Sequence, residues 1–480
     1  MNKQVIIKRI SIPWRKLLGT ITLLAMLVAM LPAPALAIRP PSSPSAPSSD
    51  VHQSPAAAAA IASQVGEEVI EVEPAVAAEI QQKGTAGYLV YFRDRPSLDA
   101  AERMDWIQRG RFVAQQLQSV AQSSQKQVRA YLDNKDVSYR SFWIDNMILV
   151  EESDVTVFNE LKRFPEISII RSRRTEMLIE PTSKESLGIN EEIFAIEPNI
   201  SHVQAPDAWA LGINGLGSVV SSIDTGVRYT HQALVSHYRG NLGDGTFNHN
   251  YNWWDPYGDH PTAPADDNGH GSHTMGTMVG DDGGSNQIGM APGAKWLACR
   301  GCNTNNCTDA ALLSCAQFIA APWDLNQANP DPDLRPDVVN NSWGDCGQSY
   351  DPWFRGVVDS WRAAGIYPVF SNGNSSNCGY SSPPPCGTVG NPARYGNVTG
   401  VGATGQQNGA YATFSLRGPT DNADPENGGD YPTIKPQVVA PGSNIRSSVN
   451  TSDTAYEGGW SGTSMSAPHV TGLTALIFQA

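Results

Sequence analysis

Val219-Val220-Ser221-Ser222-Ile223-Asp224-Thr225-Gly226 is an apolar run that ends abruptly on a carboxylate and a glycine. The run reads as a β-strand. Similar apolar stretches at 296–299, 338–341, 366–370 and 398–401 read as further strands, and 310–320 and 353–364 between them carry helical spacing. Strands alternating with helices predict an α/β, three-layer fold with a mainly parallel central sheet covered on both faces. Ligands of such sheets bind beyond the carboxyl ends of the strands, where Asp224 stands. A lone Asp there is otherwise a cap or turn former, so its partners decide its meaning.

Two downstream segments supply candidate partners. His270 lies in Asn268-Gly269-His270-Gly271-Ser272-His273-Thr274, where the flanking glycines permit close backbone approach and the following residues suit a buried helix start. His270 and His273 are also spaced as a metal pair on a helix, but Gly271 occupies the place where the zincin pattern needs a glutamate. Ser464 lies in Ser461-Gly462-Thr463-Ser464-Met465-Ser466-Ala467-Pro468-His469, before an apolar run that suits a helix. Free N–H groups at a helix start can bind a developing oxyanion; an N-cap serine is the structural alternative.

Outside this region the chain changes character. Its 480 residues suggest two or three domains. Lys3, Lys8, Arg9, Arg15 and Lys16 precede an apolar run over 17–31 and then Ala35-Leu36-Ala37, the pattern of a secretory signal peptide at 1–37. Residues 38–85 are rich in Pro, Ser and Ala and read as a linker without a fold. From 86 to 180 an order of strand, helix, strand, helix, strand predicts a small α+β unit: strands near 88–92, 147–150 and 167–170, a long helix near 99–132, and a second helix capped by Asp154. Of the net charge of −14, residues 181–480 carry −15, with 12 Lys and Arg against 27 Asp and Glu. That balance opposes nucleic acid and anionic membranes as partners. All seven cysteines also lie there, so in an exported chain disulfides are expected, with pairing open and at least one thiol left over.

Asp224-Thr225-Gly226, Asn268-Gly269-His270-Gly271 and Gly462-Thr463-Ser464-Met465 resemble, in that order, the signature segments of the subtilisin-like serine protease family. Val338-Val339-Asn340-Asn341-Ser342-Trp343-Gly344 and Gly365-Ile366-Tyr367-Pro368-Val369-Phe370 most resemble its bacillopeptidase F type. The resemblance covers about 199–480, expected as the peptidase domain, and more loosely 87–177. It implies a subtilisin-like fold behind a ferredoxin-like, inhibitory pro-domain at 86–180, whose stretch near 171–180 enters the cleft. It implies Asp224, His270 and Ser464 as catalytic triad, Asn374 as oxyanion-hole donor, and Ser342, Trp343 and Gly344 as the edge that binds substrate backbone. The implied activity is a secreted, extracellular serine endopeptidase made as an inhibited precursor. Its partners would be protein or peptide substrates and its own pro-domain, with no nucleic acid and no stable membrane insertion.

No cofactor is required for that chemistry. Structural calcium is allowed by the resemblance, although Asp281-Asp282-Gly283-Gly284 does not fit an EF-hand loop and reads as a polar turn. The family also implies a cis Asn391–Pro392 bond. Asn372 departs from the small residue usual at its position, which would reshape the primary specificity pocket. Asn374-Ser375-Ser376 matches a glycosylation sequon by chance. Arg173-Arg174 reads as exposed charge or as an invitation to another protease. The chain ends 16 residues after Ser464, earlier than the family's catalytic domain, so a fragment is expected. A catalytically inactive secreted binding protein is the competing reading.

Overall fold

The computed structural model describes residues 70–184, 195–420 and 434–480. The signal expected at 1–37 and most of the linker expected at 38–85 lie outside the described residues. The linker's far boundary is corrected, because β1 (Glu71–Val72), α1 (Pro74–Lys83) and the start of β2 (Thr85–Phe92) fall inside it. α1 starts with Pro74 in its first turn, buries Val76 and Ile80 four residues apart, and stops at left-handed Gly84. Alanine-rich composition concealed these signals.

The unit continues through α2 (Trp106–Ser124), α3 (Lys126–Asn134), β3 (Tyr139–Phe142), β4 (Met147–Asp154), α4 (Val155–Leu161) and β5 (Ile167–Ser172). The long helix expected near 99–132 is instead a 3-10 turn followed by two helices, since the Asp105 side chain accepts from Gln108 N and starts α2 afresh. Asp154 caps α4, accepting from the N–H groups of Thr156 and Val157. β3 was not foreseen: four residues with Arg140 and Ser141 at the centre carry little strand pattern. The sheet order is β1-β5-β2-β4-β3. Without β1 this is a β-α-β-β-α-β chain whose last strand lies beside its first. One sheet face packs Tyr88, Val90, Ile148 and Val150 under Val128, Leu132, Phe158 and Leu161.

After β6 (Thr175–Leu178) and β7 (Ser183–Lys184), the larger part builds a seven-stranded parallel sheet. Its elements are β8 (Val219–Asp224), β9 (Trp253–Trp254), α5 (His270–Val279), β10 (Lys295–Arg300), β11 (Asn306–Thr308), α6 (Asp309–Ala320), β12 (Val338–Asn341), β13 (Trp343–Gly344), α7 (Arg355–Ala364), β14 (Tyr367–Ser371), β15 (Thr399–Thr404), β16 (Val438–Pro441), β17 (Ile445–Ser448), β18 (Tyr456–Ser461) and α8 (Thr463–Gln479). The sheet runs β16-β15-β14-β12-β8-β10-β9. Neighbouring residues serve opposite layers, as a pleat of period two requires. Val220, Trp296, Val338 and Val369 pack with Met275 and Met278 of α5 and Ala467 and Val470 of α8. Ile223, Leu297, Val339 and Phe370 pack with Leu312 and Leu313 of α6 and Val358 and Trp361 of α7. Fully burying a Val, Leu, Ile, Phe or Met side chain in these layers contributes about 1.5–3 kcal/mol relative to leaving it exposed.

The small unit's other face joins the second of these cores, with Leu89, Leu117, Phe142 and Leu149 against α6 and α7. Ion pairs reinforce the contact. The Arg173 guanidinium grips both oxygens of fully buried Asp309 at 2.9–3.2 Å, and Arg174 reaches Asp351 at 2.5 Å. The expectation of exposed charge at Arg173-Arg174 is therefore wrong: both are part-buried and held in carboxylate contacts. Disulfides join Cys299–Cys315, Cys302–Cys307 and Cys346–Cys378, and the odd thiol is exposed Cys386. Among the described residues, no helix is long and apolar enough to cross a membrane.

Glu176 of β6 is buried, and its Oε2 has no hydrogen-bond partner. Burial pushes its pKa up to about 8, with the Asp345 carboxylate adding to the effect and Arg174 opposing it. The docked strand therefore holds a proton that the freed carboxyl, with an ordinary value of 4.5, releases. Docking stabilises fully below that ordinary value, and its advantage is lost as pH rises toward 8. The thermal midpoint of the chain should fall from pH 5 to pH 9 more steeply than that of Glu176→Gln. Equal slopes would contradict this.

Candidate active site

Asp224 is the last residue of β8, held at the sheet's carboxyl edge with no exposed surface. Gly226 turns the chain at φ +107°, and a Cβ there would fall 1.8 Å from Ala265 O. A Cβ on Gly271 would fall 2.0 Å from Gly226 O. Only glycines let the start of α5 close on the end of β8, and this approach brings His270 Nδ1 to 2.7 Å from Asp224 Oδ1. Thr225 N also donates to Oδ1 at 2.8 Å, and Thr274 Oγ1 to Oδ2 at 3.3 Å. The carboxylate thus fixes the imidazole with Nδ1 as donor and Nε2 as acceptor. Burial works against a charged His270, but the Asp224 carboxylate outweighs it and holds the pKa above the ordinary value.

Ser464 lies in the first turn of α8, where N–H groups lack intrahelical acceptors. Its Oγ donates to Ile179 O at 2.5 Å, and His270 Nε2 is buried without a partner. The serine proton is therefore turned away from the histidine in this state. Asn374 follows β14, is fully buried, and donates through Nδ2 to Glu180 O at 2.8 Å. Its orientation is fixed at Oδ1, which accepts from Thr463 N at 2.9 Å and Thr463 Oγ1 at 3.0 Å. Such burial leaves no room for a glycan at this sequon.

Ser342, Trp343 and Gly344 lie where a peptide can add as a strand. β13 pairs antiparallel with β6, Trp343 opposite Leu178 and Gly344 opposite Met177, and Ser342 O accepts from Ile179 N at 2.9 Å. β11 flanks β6 on its other side, and β7 pairs with β18. Residues 175–184 thus run through the whole cleft. Asn372 turns inward, its Nδ2 donating to Leu416 O at 2.8 Å. Asn391–Pro392 is cis.

The metal readings find little support. His273 stacks on Trp460 with centroids 4.3 Å apart, and burial pushes its pKa well down. Asp281 and Asp282 accept from the N–H groups of Gly283, Gly284 and Asn286, so these carboxylates hold a turn and do not fit a cation site. Among the described residues, no group of three or more His, Cys, Asp and Glu could hold a metal.

Two positioning residues escaped the sequence reading. Asp266 accepts from Thr225 Oγ1 at 2.9 Å, Gly269 N at 2.8 Å, and Ser272 N and Oγ at 2.8 and 2.7 Å. It ties the residue after Asp224 to the helix that bears His270. A carboxylate four residues before a helix-start histidine was the available signal. Thr463, which aims Asn374, had no signal beyond adjacency to Ser464.

Residues 215–480 match the subtilase family model. Bacillopeptidase F of Bacillus subtilis (strain 168) is 40% identical over 380 residues, covering 77% of this chain and 25% of that protein. M-protease of Shouchella clausii (strain KSM-K16) is 29% identical over 342 residues, 70% of this chain and 75% of the relative. Subtilisin Savinase of Lederbergia lenta is 31% identical over 280 residues, 58% and 83% respectively. The chain spans about a quarter of the length of Bacillopeptidase F that it matches.

The His270 ring protons should titrate in NMR above the ordinary 6.5. In Asp224→Asn, where burial loses its main opponent, the midpoint should drop below that value. A midpoint that ignores the substitution would contradict the assigned contact.

Proposed function

Because the chain belongs to the subtilase family, we propose that it is a serine endopeptidase, exported and made as a self-blocked precursor, that cuts protein chains through Asp224, His270 and Ser464. The observation that carries this reading is the fully buried 2.7 Å contact between Asp224 and His270, with the Ser464 helix start and the Asn374 amide facing one cleft. Export rests on the 1–37 pattern, and the inhibitory role of 86–180 rests on the passage of 175–184 through the cleft.

Once the cleft is vacated, a substrate strand adds beside Ser342, Trp343 and Gly344. Ser464 Oγ attacks its carbonyl carbon while the proton passes to His270 Nε2. The new oxyanion accepts from Asn374 Nδ2 and from the Ser464 N–H, both fixed before substrate arrives. Asp224 supports the imidazolium, which gives its proton to the departing amine as the C–N bond breaks. Water then repeats these steps on the ester, freeing the acid and restoring the serine.

A fluorophosphonate should label the processed protein at Ser464, and Ser464→Ala should abolish both labelling and removal of the pro-segment. Unaltered labelling or processing in the Ala variant would sink the assignment, and absence of both in the wild type would favour the inactive binding protein.

A further inference from the structure

Serine-peptidase chemistry makes two demands on one carbonyl: its carbon must face the nucleophile while its oxygen accepts from the oxyanion donors. In the segment that crosses this cleft, two successive carbonyls divide those demands. Ser464 Oγ contacts Ile179 O at 2.5 Å, whereas Asn374 Nδ2 contacts Glu180 O at 2.8 Å.

The division follows from the docking of each arm. Upstream, Leu178 N donates to Asn305 O at 3.0 Å and Ile179 N to Ser342 O at 2.9 Å, with Met177 opposite Gly344. Downstream, Thr182 N donates to Ser461 O at 2.6 Å, and Ser183 and Lys184 lie opposite Ser461 and Trp460. Between these anchors Glu180 N donates back to Leu178 O at 2.9 Å, a tight three-residue turn centred on Ile179. Pro181 follows, its Cα 3.3 Å from where a Cβ on Gly462 would stand. By the Ser464 contact and the upstream arm that ends at Ile179 N, the residue at the nucleophile is Ile179; by the Asn374 contact it is Glu180. Strand registers are discrete, so neither arm can slide by a fraction to reconcile them.

We propose that residues 175–184 block the cleft by misregister: the two docked arms are separated by one residue too many for any carbonyl between them to be attacked. The segment is held as an occupant that resists cutting, and the bond whose cleavage frees the peptidase lies outside 179–182. This deepens the protease reading and rests on it.

Deleting Pro181 keeps Ile179 on the upstream anchor and Thr182 on the downstream one, and makes Glu180 N the leaving amine. Ser464 Oγ would then bond to the Ile179 carbonyl carbon, its proton would pass through His270 to Glu180 N as that C–N bond breaks, and one water would free the Ile179 carboxylate. Full-length wild type, Pro181→Ala, the Pro181 deletion and a Ser464→Ala control of each are to be compared by mass spectrometry of the new termini. The deletion should be cut between Ile179 and Glu180, dependent on Ser464, about 100-fold faster than wild type is cut anywhere in 179–182, the cost of a misplaced reacting carbonyl. Pro181→Ala, which retains the extra residue, should stay uncut there. Cutting of Pro181→Ala after Glu180 at the deletion's rate would overturn the proposal and assign the block to the proline alone. Ser464-dependent processing elsewhere in the deletion variant, without a cut after Ile179, would overturn the register account and leave the protease reading standing. Absence of Ser464-dependent cutting in every variant would bring down both.

Discussion

Asp224 and His270 have no exposed surface, and each would be costly to bury alone. Their 2.7 Å contact makes the burial tolerable and leaves a histidine whose one free nitrogen faces the cleft. Much of the surrounding structure serves that contact. The parallel sheet ends β8 at Asp224, glycines 226 and 271 let α5 approach it, and Asp266 fastens the two segments together. A side chain at either glycine would push the helix away and strand a buried carboxylate.

The same logic of positioning before chemistry extends to the other half of the cleft. Thr463 spends its N–H and its hydroxyl on Asn374, so the amide points outward without any substrate to order it. A donor fixed in advance costs no reorganisation when charge develops. The occupying segment uses these groups without completing the geometry, and the proposed inhibition therefore needs no distortion of the site. The ion pairs of Arg173 and Arg174 with Asp309 and Asp351 hold that segment from outside the cleft.

The sheet and the three candidate catalytic residues were legible in the sequence for a physical reason. Strands buried on both faces read as continuous apolar runs, and the close approaches at the site force glycines beside Asp224 and His270. β16 escaped because Val438–Pro441 is short, ends in proline and lies at the sheet's edge. α1 was lost in alanine-rich sequence, and the 3-10 turn at Asp99–Arg103 merged with the helix after it because an Asp cap is a weak signal inside a polar stretch. Disulfide pairing depends on distances that only the fold sets. Asp266 and Thr463 act by holding neighbours, so their roles appear only when those neighbours are in place. Arg173 and Arg174 misled because a charge pair carries no mark of the buried carboxylates that await it.

The central claim, a cleft preorganised for acyl transfer, is tested most directly by steady-state kinetics of Asn374→Ala on a peptide substrate. The account predicts a kcat lower by about 10²–10³, the magnitude established for such a donor within the subtilase family, with KM little changed. An unchanged kcat with a raised KM would make Asn374 a substrate-binding residue and contradict the account.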